Sequence, residues 1–557
     1  MGRHFKLFYK AKYLVIGTTG AATSAAAVAA VQSPNSNFVE HFIDNVEAGF
    51  NGVLRSSRAI FTIASNVIDY QYSLHGLPPY SDEYSCKLSE VHLRSAKRIL
   101  KLCEANKGFY VKAGQFVAAL RQVPREYSST LSSLQDQAIP CHFKAIKEVL
   151  ISNLGQDLSD IFLSFDEQPI AAASIAQVHR GLLQDQQEVA IKVQYPGLEQ
   201  QMKLDTTIMS FLSKSVAWLF PECRFEWVVS EFAKAISLEL DFVQEAKNSE
   251  RTAKNFIDNN LIRVPLVVWD LTTKQVLTMQ FCKGHKVDDL RTLKEMGINP
   301  IQVAKALMEV FAEMIFVHGF LHGDPHPGNI LVSPEGQHGF TLVILDHGIY
   351  KQLDEGFRLD YCRLWNAMIL LDTSKIQHVG EQFGAGKYSR YFPLIFTGRA
   401  IDRIHYDSKS TIGRGMSVEE KRNLKKELKS LKMEDLSLFM ESLPPDLLTI
   451  LRTDGLLRSV IAKLGAPQRV RLLAYAKYAL YGLSPKSHPE SDFTVKVVFF
   501  SLKRDMNYLG LRVLLEVLEL LSWMEECRNI LYRRLKRMFV SAAHFFVHLP
   551  FSAVSLK

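Results

Sequence analysis

The spacing of apolar residues changes character several times along this 557-residue chain, and each change marks a boundary. Between Ser89 and Leu154 apolar positions recur every three to four residues, the period of helices with one buried face. Gly108, Pro124 and Pro140 interrupt that pattern, which predicts a small set of short helices. From Ile161 to Val193 the runs shorten and take on β-prone residues, and Gln184–Gln187 joins two of them as a hairpin turn would. Helical spacing returns over Val228–Asn248 and predicts one long helix. Strand-like runs follow at Arg263–Val268 and Gln275–Phe281. After Gly284 the pattern is helical apart from one strand pair near Ile330–Leu345, and Leu511–Leu535 is amphipathic. No unit recurs at roughly 20 to 50 residues, so solenoids and propellers are excluded. The fold class is α+β.

Composition rules out less than the distribution of charge does. With 47% hydrophobic and 22% charged residues the chain is ordinary for a globular protein, which excludes whole-chain disorder. The net charge of +8 is too small to imply a nucleic-acid partner. Its location is more telling. Arg3, Lys6, Lys10 and Lys12 stand unopposed before the first acid, Glu40, and lead into the uncharged run Leu14–Val31. An acid-free, basic, hydroxyl-containing start fits a mitochondrial targeting segment, with a plastid transit peptide or a short membrane anchor as alternatives; a secretory signal competes but is opposed by the absence of cysteine pairing. At the other end Arg533, Arg534, Lys536 and Arg537 precede an aromatic apolar stretch too short to span a bilayer. Such a segment suits an interfacial helix drawn to anionic lipid, or a helix docked on the protein's own core. The seven cysteines are scattered, with no pair at zinc spacing, and read as reduced.

The chemistry concentrates in LHGDPHPGNILV (Leu321–Val332) and LVILDHG (Leu342–Gly348). A strand leaving the first motif at Ile330, a turn over Ser333–Gly339 and a returning strand bring Asn329 and Asp346 to one open end, beside Asp324. Asn329 and Asp346 are hard oxygen ligands suited to Mg²⁺, and Asp324 is placed to orient or deprotonate an acceptor. Asp324 and Asn329 stand five apart, as in a kinase catalytic loop. His322 and His326 lack further ligands at metal spacing and read as loop packing. Upstream, VAIKV (Val189–Val193) alternates so that Val189, Ile191 and Val193 face a core while Ala190 and Lys192 face a cleft. Lys192 would then contact the α- and β-phosphates of ATP. Where a glycine-rich phosphate cover is expected the sequence is IAAASIAQV, so Ile170, Ala171, Ala172, Ala173, Ser174, Ile175, Ala176, Gln177 and Val178 form an alanine-rich cover with a narrower approach. Met279 and Phe281, ahead of the connector Cys282–Gly284, complete the nucleotide pocket. A β-rich part, a short connector and a helical part give the outline of a protein kinase.

These residues resemble the UbiB family of atypical kinases, the aarF-domain-containing kinases, over about Ser89–Leu480. The signatures are KAGQ (Lys112–Gln115), LQDQAIP (Leu134–Pro140), AAAS (Ala171–Ser174), ELDFVQEAKN (Glu239–Asn248) and HGDPHPGN. The resemblance implies a two-lobed kinase-like fold with an N-terminal helical extension and extra C-terminal helices. Together with the charge pattern of the two ends, it divides the chain into a targeting or anchor segment at 1–35, an extension carrying Lys-x-Gly-Gln at 85–158, an N-lobe at 159–284, a C-lobe at 285–485 and amphipathic basic helices at 490–557. It also implies binding of ATP and Mg²⁺ and a role in lipid or isoprenoid-quinone (coenzyme Q) metabolism. Nucleotide, a lipid or quinone-like molecule and a membrane surface are the expected partners.

Glu239 and Glu245 are six apart, so on one helix they point about 120° apart and serve different partners. Either can pair with Lys192, with Glu245 favoured; Glu239, with Asp241, would then meet Lys112, which the resemblance places over the nucleotide pocket. Lys112 and Gln115 share a helix face and would enter the site together. HGD stands where protein kinases have HRD, DHG replaces DFG, and no Ala-Pro-Glu follows before the helical spacing of Asp354–Met368. The expected acceptor is therefore small or lipid-like and not a protein in trans. A small-molecule phosphotransferase of the aminoglycoside or choline kinase type, and a nucleotide-gated lipid-binding protein with little catalysis, are the alternatives.

Overall fold

The computed structural model describes residues 38–78, 81–119, 123–136, 140–219, 226–335, 339–370, 372–397 and 442–483, with scattered helical residues at 506, 508–510, 512–513, 516–517, 524 and 528. The basic leader and the tail from Arg533 lie outside the described residues. The chain forms two compact units: one runs through Leu353 and takes back the stretch ending at Pro467, and the other takes the residues from Asp354 and again from Gln468.

The first unit begins with α1 (Phe38–Ser73), α2 (Asp82–Asn106), α3 (Phe109–Ala119), α4 (Arg125–Leu131) and α5 (Phe143–Leu154). Local chemistry sets the breaks. Ser81 caps α2 by accepting from the Tyr84 backbone N–H at 3.0 Å. Lys107 and Gly108 both take positive φ, 53° and 47°, to turn the chain between α2 and α3. Pro124 precedes α4, where its missing N–H costs nothing. Within α3, a Cβ on Gly114 would lie 2.4 Å from Leu134 Cδ1. The glycine of KAGQ is thus dictated by the side chain that LQDQAIP presses against it.

The sheet follows: β1 (Phe162–Phe165), β2 (Ala171–Ala172), β3 (Ala176–Leu183) and β4 (Glu188–Gln194). Then come α6 (Leu198–Leu219), α7 (Glu226–Glu239), α8 (Phe242–Asn255), β5 (Ile262–Arg263) and β6 (Val276–Gln280). The strands run antiparallel in the order β1-β3-β4-β6, with β2 hooked onto β3. Period-2 alternation gives the sheet two apolar faces. Val189, Ile191, Val193 and Val276 pack on Ile146 and Leu150 of α5. On the opposite face Ala176, Ala190, Leu277 and Met279 join Phe109 and Phe116 of α3, Phe232 of α7 and Phe242 of α8. At roughly 25 cal/mol per Å² of apolar surface, each buried phenylalanine contributes about 2 to 3 kcal/mol to holding the extension on the sheet.

Two sequence expectations need correction. The helix expected over Val228–Asn248 is two helices, because Gln194 Nε2 donates to the Leu240 carbonyl at 2.9 Å and Asp241 restarts the chain as the N-cap of α8. Arg263–Val268 is not one strand: Pro265 has no N–H to offer a ladder, which leaves β5 and a single bridge from Val267 to Met279. The structure adds a helix that is not among the expected elements, the 22-residue α6 over Leu198–Leu219.

Beyond the connector lie β7 (His285–Lys286), α9 (Pro300–Glu313), β8 (Phe320–His322), β9 (Ile330–Ser333), β10 (Thr341–Ile344) and β11 (Tyr350–Gln352). The expected pair is β9 with β10, registered Ile330 to Ile344. The expectation of a single pair is too few, since β5 joins β10 in parallel, β7 joins β9, and β8 pairs with β11. A π-helical turn over Met314–His318 and Gly319 at φ 60° deliver the chain from α9 into β8. In the second unit, helices over Glu355–Leu370 and Gln468–Gly482 pack with the Trp365 and Tyr475 rings 4.9 Å apart, edge to face.

Candidate active site

Lys192 stands on β4 opposite Val178 and Leu277, so these three side chains share the inner face of the sheet. Its Nζ donates to both oxygens of Glu245, at 2.7 and 2.9 Å, and to Asp346 Oδ2 at 3.2 Å. Glu245 lies in the first turn of α8, and its Oε1 also accepts from the His347 backbone N–H at 3.3 Å. Asn248, one turn on, donates to the His347 carbonyl at 3.0 Å. A strand, a helix and the DHG turn are therefore clamped together around one buried ammonium.

The catalytic-loop residues converge on the same point. Asn329 Nδ2 donates to the Asp324 carbonyl at 3.2 Å, and the Leu345 N–H donates to the Asn329 carbonyl at 2.9 Å. Asp346 Oδ1 accepts from the Gly348 N–H at 2.9 Å. A Cβ on Gly348 would come within 3.2 Å of Asp346 Oδ1 and 3.6 Å of both Glu239 Cγ and Glu245 Oε2, so this glycine is kept by the crowding of three acids. His322 Nδ1 accepts from the Asp324 N–H at 3.0 Å, and its ring, like that of His347, packs beside Tyr350. Both histidines are buried, and burial pushes their imidazoles down, that of His347 to about 3. They are neutral packing elements of the loop.

Lys112 of α3 reaches into this cluster and bonds Glu239 at 2.9 Å. Burial opposes its charge, but Glu239 and then Asp324 and Asp346 outweigh burial and hold it above the usual lysine range. Glu239 is pushed up by burial, with Lys112 pulling the other way. Burial likewise pushes Glu245 up to about 7 against the pull of Lys192. Lys192 itself is raised: burial favours its neutral form, yet Asp346 and Glu245 prevail. The two shifts compete for the same proton, and the ammonium wins because Lys192 has two carboxylate partners while Glu245 has one ammonium. Asp346 stays ionised, held well below the carboxylate range, because Lys192 and Lys112 overcome its burial.

Some expected members stand elsewhere. Asp241 does not meet Lys112; it accepts from the Val243 and Gln244 N–H groups, as the break before α8 requires. Gln115 does not follow Lys112 into the site but donates to the Leu134 carbonyl at 3.0 Å. Of the alanine-rich run, Gln177 points away, accepting from the Cys141 N–H and bonding His179, while Ile175 and Ala176 pack into the helical core. The alternation of β3 forces that split. Ile170, Ala171, Ala172, Ala173 and Ser174 form the outer hairpin, where the Ala173 carbonyl accepts from Tyr195 Oη at 2.9 Å. Met279 is buried on the inner face, and the Phe281 ring lies 4.9 Å under the Arg180 guanidinium. Asn248 and Gln194 were not anticipated. Asn248 closes the ELDFVQEAKN signature, but nothing in the spacing around Gln194 marks it.

A lysine on the third strand of an antiparallel sheet, paired with a helix glutamate and facing a catalytic loop and a DHG turn, defines a kinase-like phosphotransferase. Residues 133–380 match the ABC1 atypical kinase-like domain. AarF domain-containing protein kinase 1 of Xenopus tropicalis is 38% identical over 444 residues, covering 79% of this chain and 83% of that protein. The Mus musculus protein of the same name is 39% identical over 74% of this chain and 78% of its own length. AarF domain-containing kinase 1 of Drosophila melanogaster is 32% identical over 75% and 81%. The chain belongs to the ABC1, or AarF domain-containing, family of atypical kinases.

Proposed function

We propose that this atypical kinase binds MgATP and transfers phosphate to, or couples ATP hydrolysis to the handling of, a small or lipid-like molecule in mitochondrial lipid or isoprenoid-quinone metabolism. The observation that carries the reading is Lys192 held between Glu245 and Asp346 beside the Asp324–Asn329 loop. The donor set fits a divalent cation. Asn329 commits its nitrogen to Asp324 and so offers its oxygen, Asp346 is ionised, and four carboxylates face two ammonium groups in the cluster. Asp346 and Asn329 would hold Mg²⁺, which when bound supplies Lewis-acid neutralisation of phosphate charge.

The chain's own groups then divide the work. Lys192, kept charged and fixed by Glu245, binds phosphate oxygens. Asp324 orients the acceptor hydroxyl and takes up its proton at the carboxylate. Lys112, brought by α3, places a second ammonium over the same ground and narrows access to it. Only Ile349 and the three residues of β11 separate the DHG turn from Leu353, and a helix starts at Glu355. So short a segment, and the presence of α3, favour a compact acceptor over a peptide.

A membrane setting is supported by the basic leader and by Met506, Leu509, Val513 and Val517, which are helical, exposed and spaced three to four apart. Among the described residues no helix is long and apolar enough to cross a membrane. The test is a thermal-shift and turnover assay of the full chain with ATP, with and without Mg²⁺ and anionic liposomes. Mg²⁺-dependent stabilisation that disappears in Asp346→Asn is expected; no stabilisation by nucleotide in the wild-type protein would overturn the proposal. Fluorescent fusions with and without residues 1–35 test mitochondrial delivery.

A further inference from the structure

A pocket of about 380 Å³ lies against α8, β8 and β11 and shares Gly348 with the catalytic turn. Its volume falls in the range of small-molecule sites. Leu238, Phe320 and Tyr350 give it apolar walls, and Leu238 is 44% exposed at its edge. Lys247 and Arg251, one turn apart on α8, supply two cations, and no acidic side chain lines the space. Arg251 is pre-set: its guanidinium lies 4.0 Å over the Phe320 ring and donates to Gln352 Oε1. Lys247 is exposed and forms no ion pair with a carboxylate among the described residues. Two cations at the edge of an apolar-walled cavity, without a counter-charge in its lining, call for an anion that carries an apolar body.

We infer that this pocket binds an anionic amphiphile, its carboxylate or phosphate at Lys247 and Arg251 and its hydrocarbon body against Leu238, Phe320 and Tyr350. The site borders the catalytic turn at Gly348 and is linked to it through α8. Gln244 in the pocket donates to Asn248 Oδ1 at 3.0 Å, and Asn248 donates to the His347 carbonyl. Glu245 sits in the same turn of α8. An occupant that orders this turn changes nucleotide affinity by about fivefold or more, and nucleotide changes the occupant's affinity by the same factor. Binding itself does not rest on the MgATP reading, because it is measured without nucleotide; only the coupling does.

The experiment is calorimetric titration of the full chain with decyl phosphate below its micelle concentration, alongside inorganic phosphate, decyl maltoside and phosphatidylglycerol vesicles. Saturable binding of decyl phosphate, much weaker binding of inorganic phosphate and none of the maltoside are expected. Lys247→Glu should weaken decyl phosphate at least about tenfold, the loss of one charge-assisted contact, without moving the unfolding temperature. Leu238→Trp, which fills the mouth, should do the same by a different route and serves if Lys247→Glu folds poorly. Vesicle binding that is sensitive to Lys247→Glu identifies a lipid headgroup as the source of the anion; binding of the monomer with no such vesicle response identifies a soluble amphiphile. Equal affinity of wild type and both variants for decyl phosphate, or equal binding of the maltoside, overturns the assignment.

Discussion

Removing Lys112 should destabilise the protein more than removing Lys112 and Glu239 together. Their 2.9 Å contact is largely buried, with the Glu239 side chain 8% exposed and that of Lys112 19%. At an effective dielectric of about 20 the attraction is on the order of 5 kcal/mol before desolvation is charged against it. Lys112→Ala leaves Glu239 buried, unpaired and close to Asp346, a situation that costs about 3 kcal/mol. Glu239→Gln in the same background removes the stranded charge, so the double variant should lie within about 1 kcal/mol of wild type, and the coupling energy should be at least about 2 kcal/mol, larger by whatever Glu239→Gln costs alone. Urea unfolding of the four proteins, followed by tryptophan fluorescence and circular dichroism, measures the cycle. A coupling below about 0.5 kcal/mol, within the scatter of independent sites, would show that the pair is a solvated surface contact and would remove the argument that α3 is electrostatically latched into the site.

Asp324→Asn should keep Mg²⁺-dependent nucleotide binding but lose turnover by about 10²- to 10⁴-fold, as read by paired binding and phosphate-release assays. Gly348→Ala forces a methyl to within 3.2 Å of Asp346 Oδ1; it should cost about 1 to 2 kcal/mol in urea unfolding and weaken MgATP in titration. His347, pushed down to about 3 by burial, gives a pH dependence whose sign is fixed. Below the ordinary histidine value the unfolded chain takes up a proton that the folded chain refuses. Stability from this group is therefore complete above about pH 6.5 and falls by about 1.4 kcal/mol per unit as the pH drops toward 4.5. In His347→Phe that part of the slope should vanish in urea titrations at pH 7.0, 5.5 and 4.5, although the contribution of buried His322 persists.

Much of the catalytic cluster is legible in the amino-acid sequence because it sits where local rules are strong. The β9–β10 pair fixes Asn329 against Asp346, and the alternation of VAIKV commits Lys192 to one face. What escapes are decisions taken by tertiary partners. The break before α8 depends on Gln194, a side chain 46 positions away, claiming the Leu240 carbonyl. Gln115 looks like a companion of Lys112 by helical phase, yet the Leu134 carbonyl takes it. The nine residues Ile170–Val178 read as one phosphate cover, but the strand period sends Gln177 to one side and Ala176 to the other. Short strands such as β5 and β8 are set by pairing with distant chain and leave almost no trace in a window of their own residues.

The interruption at Leu240–Asp241 gives the two lysine latches independent mechanics. On one continuous rod, any rotation that released Glu239 from Lys112 would carry Glu245 away from Lys192 by the same angle. With separate helices meeting at a capped joint, the two contacts are set by different neighbours: α8 is pinned to the DHG turn through Asn248 and the His347 N–H, while α7 packs on α3 through Phe232 against Phe109 and Phe116. The Lys112–Glu239 contact therefore belongs to the extension and the Lys192–Glu245 contact to the DHG turn, two locks seated in different parts of the fold.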